Sequence, residues 1–179
     1  MPRRAREPSK TRIYHVMIRG NEKKNIFQDV EDKQRFLDIV NEKKEDGKDV
    51  LYAYCIMDNH AHLLLREESQ PLSLVMKRIG TSYAYYYNKK HKRVGHVFQD
   101  RFRSENVEDE RYFLSVLRYI HNNPEKAGIC LKEKYLWSSY NAFIKGKDGL
   151  IRTGEVNEVL GLFSQNRSTA VEMFSEFCS

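Results

Sequence analysis

Residues 50–67 read VLYAYCIMDNHAHLLLRE. Two runs of strand-forming residues, VLYAYCIM and HAHLLLRE, meet at Asp58-Asn59, a pair suited to the two-residue turn of a β-hairpin. An apolar hairpin commits this part of the chain to an antiparallel sheet with at least one buried face. Alternation along the second strand gives His60 and His62 one face, and Ala61, Leu63 and Leu65 the other. Two imidazoles side by side on rigid backbone are a usual way of holding a divalent metal while leaving other coordination positions open. The plainer alternative is a pair of histidines tolerated at a sheet edge.

Around this hairpin the pattern continues. YHVMIRG (14–20) alternates and reads as a first strand ended by Gly20-Asn21. Residues 29–44 carry Phe36, Leu37, Ile39 and Val40 on one side of a charged helix, with Gly47 as a stop. A second helix runs from Pro71 or Leu72 to Asn88, spacing Leu72, Val75, Met76, Ile79, Tyr83 and Tyr86 along one face. HVFQDRFRSENV (96–107) is a fourth strand or irregular ribbon, and Glu108 or Asp109 opens a third helix that ends before Pro124. The order strand, helix, strand, strand, helix, strand, helix predicts an α+β fold: a ferredoxin-like antiparallel sheet with helices packed on one face. EKYLWSSYNAFIKG (133–146) reads as a packed extension, and the last 25 residues as a short helical extension. The expected organisation is a basic arm over 1–12, a catalytic domain over 13–145 and a C-terminal appendage over 146–179.

Composition narrows the classes. With 179 residues, 40% hydrophobic and 31% charged, the chain has the balance of a globular protein large enough for one real core. It shows no apolar run of membrane-spanning length and no secretory signal, which predicts a cytoplasmic protein. Three scattered cysteines argue against a disulfide framework and a thiolate zinc site. The net charge of +6 is concentrated in three places. Arg3, Arg4 and Arg6 lie near the start, Lys89, Lys90, Lys92 and Arg93 follow the aromatic stretch SYAYYYN, and Arg101 and Arg103 follow Phe98. Lys and Arg bind phosphate while aromatic faces stack on unpaired bases, so these nine residues are the candidate DNA-binding set. A membrane-binding arm would need an apolar partner face, which the N-terminus lacks.

A metal held by two histidines needs another ligand. In RYFLSVLRYIHNNPEKAGI (111–129) the apolar helical face runs through Tyr112, Phe113, Val116, Leu117 and Ile120, with Tyr119 and Asn123 at its margin four residues apart. Pro124 biases Asn123 out of helical geometry, towards a cap. The amide oxygen of Asn123 could coordinate a hard cation such as magnesium or manganese.

The ordered pair NHAHLLL and, some sixty residues later, YIHNNPEKAGI resembles the HUH single-tyrosine transposase superfamily, above all its REP-associated tyrosine transposase branch. The resemblance covers residues 14–140 and takes in GHVFQDRFRS (95–104). It implies that His60 and His62 are metal ligands and that Tyr119 is the nucleophile on single-stranded or hairpin DNA. The better-known insertion-sequence branch has a Gln as third ligand where this chain has Asn123, shorter by one methylene. The resemblance further implies strand cleavage and transfer through a 5′-phosphotyrosine with magnesium or manganese and no nucleotide. The chain agrees in having no phosphate-binding glycine loop. Relatives act as monomers or as homodimers, and both stay open here. Two rivals remain: a metal-dependent hydrolase that activates water, with Asp58 or Glu67 as its carboxylate, and a domesticated, non-catalytic DNA-binding protein. Tyr85, Tyr86 and Tyr87 form a competing source of nucleophile, although helical spacing sends them in three directions. His121 has no assigned role.

Overall fold

The computed structural model describes residues 7–146 and 150–179. Its frame is a four-stranded, wholly antiparallel sheet: β1 (Ile13–Arg19), β2 (Val50–Ile56), β3 (His60–Arg66) and β4 (Arg103–Asn106), in the order β2-β3-β1-β4. Helix α1 (Val30–Gly47) connects β1 to β2, and α2 (Leu72–Lys90) connects β3 to β4. That is the βαββαβ chain order of a ferredoxin-like sheet, in agreement with the predicted class. The hairpin closes at the expected turn, with the Met57 amide donating to the His60 carbonyl at 2.8 Å.

Local signals explain the helix starts. Asp29 accepts from the Asp32 amide and caps α1, while the first amide of α2 donates to Glu67 Oε2 at 2.6 Å. Tyr14, on the β1 face away from the histidines, donates to the other oxygen of the same Glu67 carboxylate. The two helices pack on each other through Phe36 and Tyr83, together with Phe27 just ahead of α1, the three rings meeting at 5.0–5.3 Å. The aromatic triplet does diverge: Tyr85 is 72% exposed, Tyr86 is half-buried and Tyr87 is buried, its hydroxyl donating to the Asn25 carbonyl. The buried stripe of α2 therefore runs through Tyr87, and Tyr86 lies at its margin beside Asp32.

The helices occupy both faces of the sheet. The third helix, α3 (Glu110–His121), lies over the histidine face: its Phe113 meets Tyr52 of β2 at 5.1 Å and its Tyr119 meets His62 of β3 at 5.3 Å. The expectation of a single covered face held for α1 and α2, whose crossovers share a handedness. It missed α3, which follows the last strand with no crossover to constrain it. The fourth strand is only four residues long, and residues 97–98 join the sheet solely through a bridge between Phe98 and Gly20. Gly20 is required by close approach, since a Cβ there would lie 2.2 Å from the Lys24 carbonyl oxygen.

The C-terminal part packs into the same core. Trp137–Ser139 run along the outer edge of β2, with the Ile56 amide donating to Trp137 and the Ser139 amide to Tyr54. This edge cover, with α3 and α6 (Thr153–Gly161) on one face, explains why every residue of β2 is buried. Short helices α4 (Asn123–Lys126) and α5 (Tyr140–Lys145) precede α6, and α7 (Arg167–Cys178) follows. Phe174 of α7 packs on Phe143, Tyr140 and the fully buried His121, while Asn122 donates to the Cys178 carbonyl at 2.8 Å. Among the described residues no helix is long and apolar enough to cross a membrane.

Candidate active site

Pairing decides which side chains meet. Antiparallel register sets Met17 opposite His62, His15 opposite Leu64 and Arg19 opposite His60. It likewise sets Arg103 opposite Met17 and Glu105 opposite His15. Alternation then gives His15, Met17, Arg19, His60, His62, Arg103 and Glu105 one common face. Helix α3, capped by Asp109, lies across this face with Tyr112, Ser115, Val116 and Tyr119 at helical spacing. Between helix and sheet is an open cleft of about 390 Å³, lined by His15, Met17, His62, Arg103, Glu105 and those four residues.

His62 lies at the centre. Its ring is 5.1 Å from His60, 5.1 Å from His15 in a stacked arrangement, and 5.3 Å from Tyr119 edge-on. Its Nδ1 shares a hydrogen bond of 3.0 Å with His15 Nε2, and Nδ1 of His15 approaches Glu105 at 3.8 Å. His60 Nδ1 is paired with Asn59 Oδ1 at 2.6 Å. Burial, reinforced by the neighbouring His15, His60 and Arg19, pushes His62 down to about 3. Burial and then Arg19 lower His60, and burial lowers His15 against the pull of Glu105. Both rings of the pair are therefore neutral at neutral pH and keep a lone pair for a Lewis acid.

Tyr119 is 41% exposed, with the Lys126 amine 5.1 Å above its ring. The helix breaks at Asn122, and Asn123 opens α4 in keeping with Pro124. Its Nδ2 donates to the Tyr119 carbonyl at 3.4 Å, and Asn123 counters part of the lowering of His60. The geometry thus brings His60, His62, Tyr119 and Asn123 together from three elements. Among the described residues no cluster of three or more His, Cys, Asp or Glu is arranged to hold a metal. The donor set that does fit one is two imidazoles and an amide oxygen. Each imidazole has its Nδ1 engaged by an outer partner, as in imidazoles that give the other nitrogen to an ion.

The basic candidates divide. Arg103 lines the cleft. Arg101 lines a second groove, of about 810 Å³, between α2 and residues 95–102. Lys89 and Lys92 are exposed, and Arg93 lies 5.6 Å over Tyr87. Lys90 instead joins Asp29, Glu31 and Asp32 at 2.7–3.0 Å and ties α2 to the start of α1. Arg3, Arg4 and Arg6 lie outside the described residues.

The family model described as "Transposase IS200 like" matches residues 9–123, a span containing the histidine pair, Tyr119 and Asn123. The chain belongs to the IS200-like transposase family. Its function is accordingly a transposase-like processing of DNA. Among solved structures, this transposase is similar to a REP-associated tyrosine transposase bound to a REP hairpin. The two are 16% identical, the match covers 86% of this chain and 90% of that one, and the TM-score is 0.69, a likeness of fold. A second similar structure, described as a candidate transposase from Deinococcus radiodurans, is 17% identical over 68% of this chain and 97% of that one, with a TM-score of 0.47. No curated protein matches the chain.

His15, Arg19 and Glu105 escaped the sequence reading. The alternation of β1 is visible in YHVMIR, but which of its faces meets the histidines depends on pairing with a strand some forty residues away.

Proposed function

We propose that this transposase cleaves single-stranded or hairpin DNA with Tyr119 as nucleophile and passes the broken strand to a new 3′-hydroxyl. The observation that carries this reading is the seating of an exposed phenol from α3 against His62. The Tyr119 oxygen attacks phosphorus, the bond to the 3′-oxygen breaks, and the phenol proton leaves as the released 3′-oxygen gains one. One ester replaces another, so the step runs backwards with a different 3′-hydroxyl and needs no nucleotide. His60, His62 and Asn123 are the residues that would hold a divalent magnesium or manganese ion, which when bound supplies Lewis-acid polarisation of the scissile phosphate. Asn59 and His15 orient the two imidazoles through their Nδ1 atoms. The described basic residues Lys89, Lys92, Arg93, Arg101 and Arg103 would track the strand, with Arg3, Arg4 and Arg6 of an arm over residues 1–12 adding to them. In this reading residues 13–145 are the catalytic unit and 146–179 its packed extension.

The test is incubation with a library of labelled single-stranded hairpins and manganese, followed by denaturing electrophoresis. The wild type should give a covalent protein–DNA adduct that Tyr119→Phe abolishes while DNA affinity stays within about twofold, since the packing ring is kept. Cleavage without adduct, surviving Tyr119→Phe and lost in His60→Ala, would instead establish a metal hydrolase. An adduct lost only in Tyr86→Phe would move the nucleophile.

A further inference from the structure

Arg19 closes β1 directly opposite His60, on the face that carries both histidines. Its main chain is fixed on two sides. The Gln99 amide donates to the Arg19 carbonyl at 2.9 Å, and the next amide, of Gly20, donates to Asn59 at 2.8 Å. Its side chain is not engaged in the same way. Nε is buried without a hydrogen-bond partner, and no acceptor among the described residues takes a proton from the guanidinium. The charge nevertheless acts on both His60 and His62.

A half-buried guanidinium beside neutral imidazoles and without a counter-ion is unfavourable in the free protein. An anion entering the site supplies what is missing. Its planar fork of donors suits two oxygens of a phosphate better than a single point charge would.

We propose that Arg19 binds a non-bridging oxygen of the DNA phosphate that Tyr119 attacks, as a further catalytic residue. The proposal rests on the strand-transfer reading above. Attack by the phenol shifts charge onto the non-bridging oxygens, and a guanidinium carried on an anchored main chain is at hand to stabilise that charge. Arg19 keeps its protons throughout, and no bond is made or broken at it. Arg103 lies two strands away from His60, at the other side of β1, where it lines the cleft with His62 and Tyr119.

The test combines a binding and a rate measurement on strands that each carry one methylphosphonate, scanned through the sequence. Binding is measured without metal in the Tyr119→Phe background. There, Arg19→Ala should weaken the all-phosphate strand about tenfold, and the deficit should vanish when the scissile position carries the neutral group. With manganese and Tyr119 intact, Arg19→Ala should slow adduct formation about 100-fold, with Arg19→Lys between it and the wild type. A deficit equal at every scanned position, or one that vanishes only at a position other than the scissile one, overturns the proposal while leaving strand transfer standing. A wild type that never forms an adduct overturns strand transfer, and the catalytic role of Arg19 with it.

Discussion

His62 is held by contacts that a strand pattern alone could not reveal. Its Nδ1 is occupied by His15, so its tautomer and ring plane are set by a residue on a different strand. Replacing His15 with Ala removes that partner and leaves the His62 ring free to turn. Manganese affinity, followed by titration with paramagnetic resonance detection, should then fall by about 10- to 100-fold. An unchanged affinity would show that His15 has no part in orienting the site. At this scale the sequence was informative where chemistry and spacing are local. His60 and His62 share a face because they are two apart on one strand. Tyr119 and Asn123 are four apart and still meet across the helix break. The missed residues, His15, Arg19 and Glu105, reach the site through register, which is a property of two strands at once.

Helices α1 and α2 show the same limit for charge. Composition places Lys89, Lys90, Lys92 and Arg93 in one basic run, yet α2 turns Lys90 inwards onto three carboxylates, one of them the buried Asp32. Asp32 also pairs with His91 at 3.0 Å and accepts from the Gln28 amide, so Lys90 is part of an inter-helix network. Lys90→Ala should lower stability by about 1 kcal/mol in urea unfolding and leave the salt dependence of DNA binding unchanged. Lys92→Ala should do the reverse, reducing the slope of log affinity against log salt by about one with stability intact. If Lys90→Ala changed the slope instead, the ion-pair network would not be its role. The hairpin, α1 and α2 were legible because each has a continuous period and a local stop or cap. The fourth strand was legible as a strand or irregular ribbon over residues 96–107, but not its limits, since the four residues Arg103–Asn106 lack a hydrophobic alternation. The side taken by α3 depends on packing against Tyr52 and His62, and no signal within residues 110–121 states it.

The molecule as a whole is closed by its last helices, and His121 lies where they meet α3. It is fully buried, with Nε2 bonded to Ser139 and Nδ1 unpartnered. Burial, and then Lys132, push it down to about 3. The unfolded chain, with a histidine near 6.5, therefore binds more protons in mild acid than the folded one does. The stability linked to this group is intact above about pH 6.5 and is lost progressively as the pH falls towards 3. At about pH 5 the loss should be about 2 kcal/mol relative to neutral pH. Urea unfolding of the wild type and of His121→Met at the two pH values checks this, because the variant should lack that share of the decline. The chain over Trp137–Ser139 has one more consequence. By filling the outer border of β2 with the protein's own backbone, it withdraws that border from the reach of other molecules. The opposite border is β4, short and carrying Arg103 and Glu105. Among the described residues, a sheet finished in this way offers no long, greasy rim of the kind on which strands of separate copies pair into fibres.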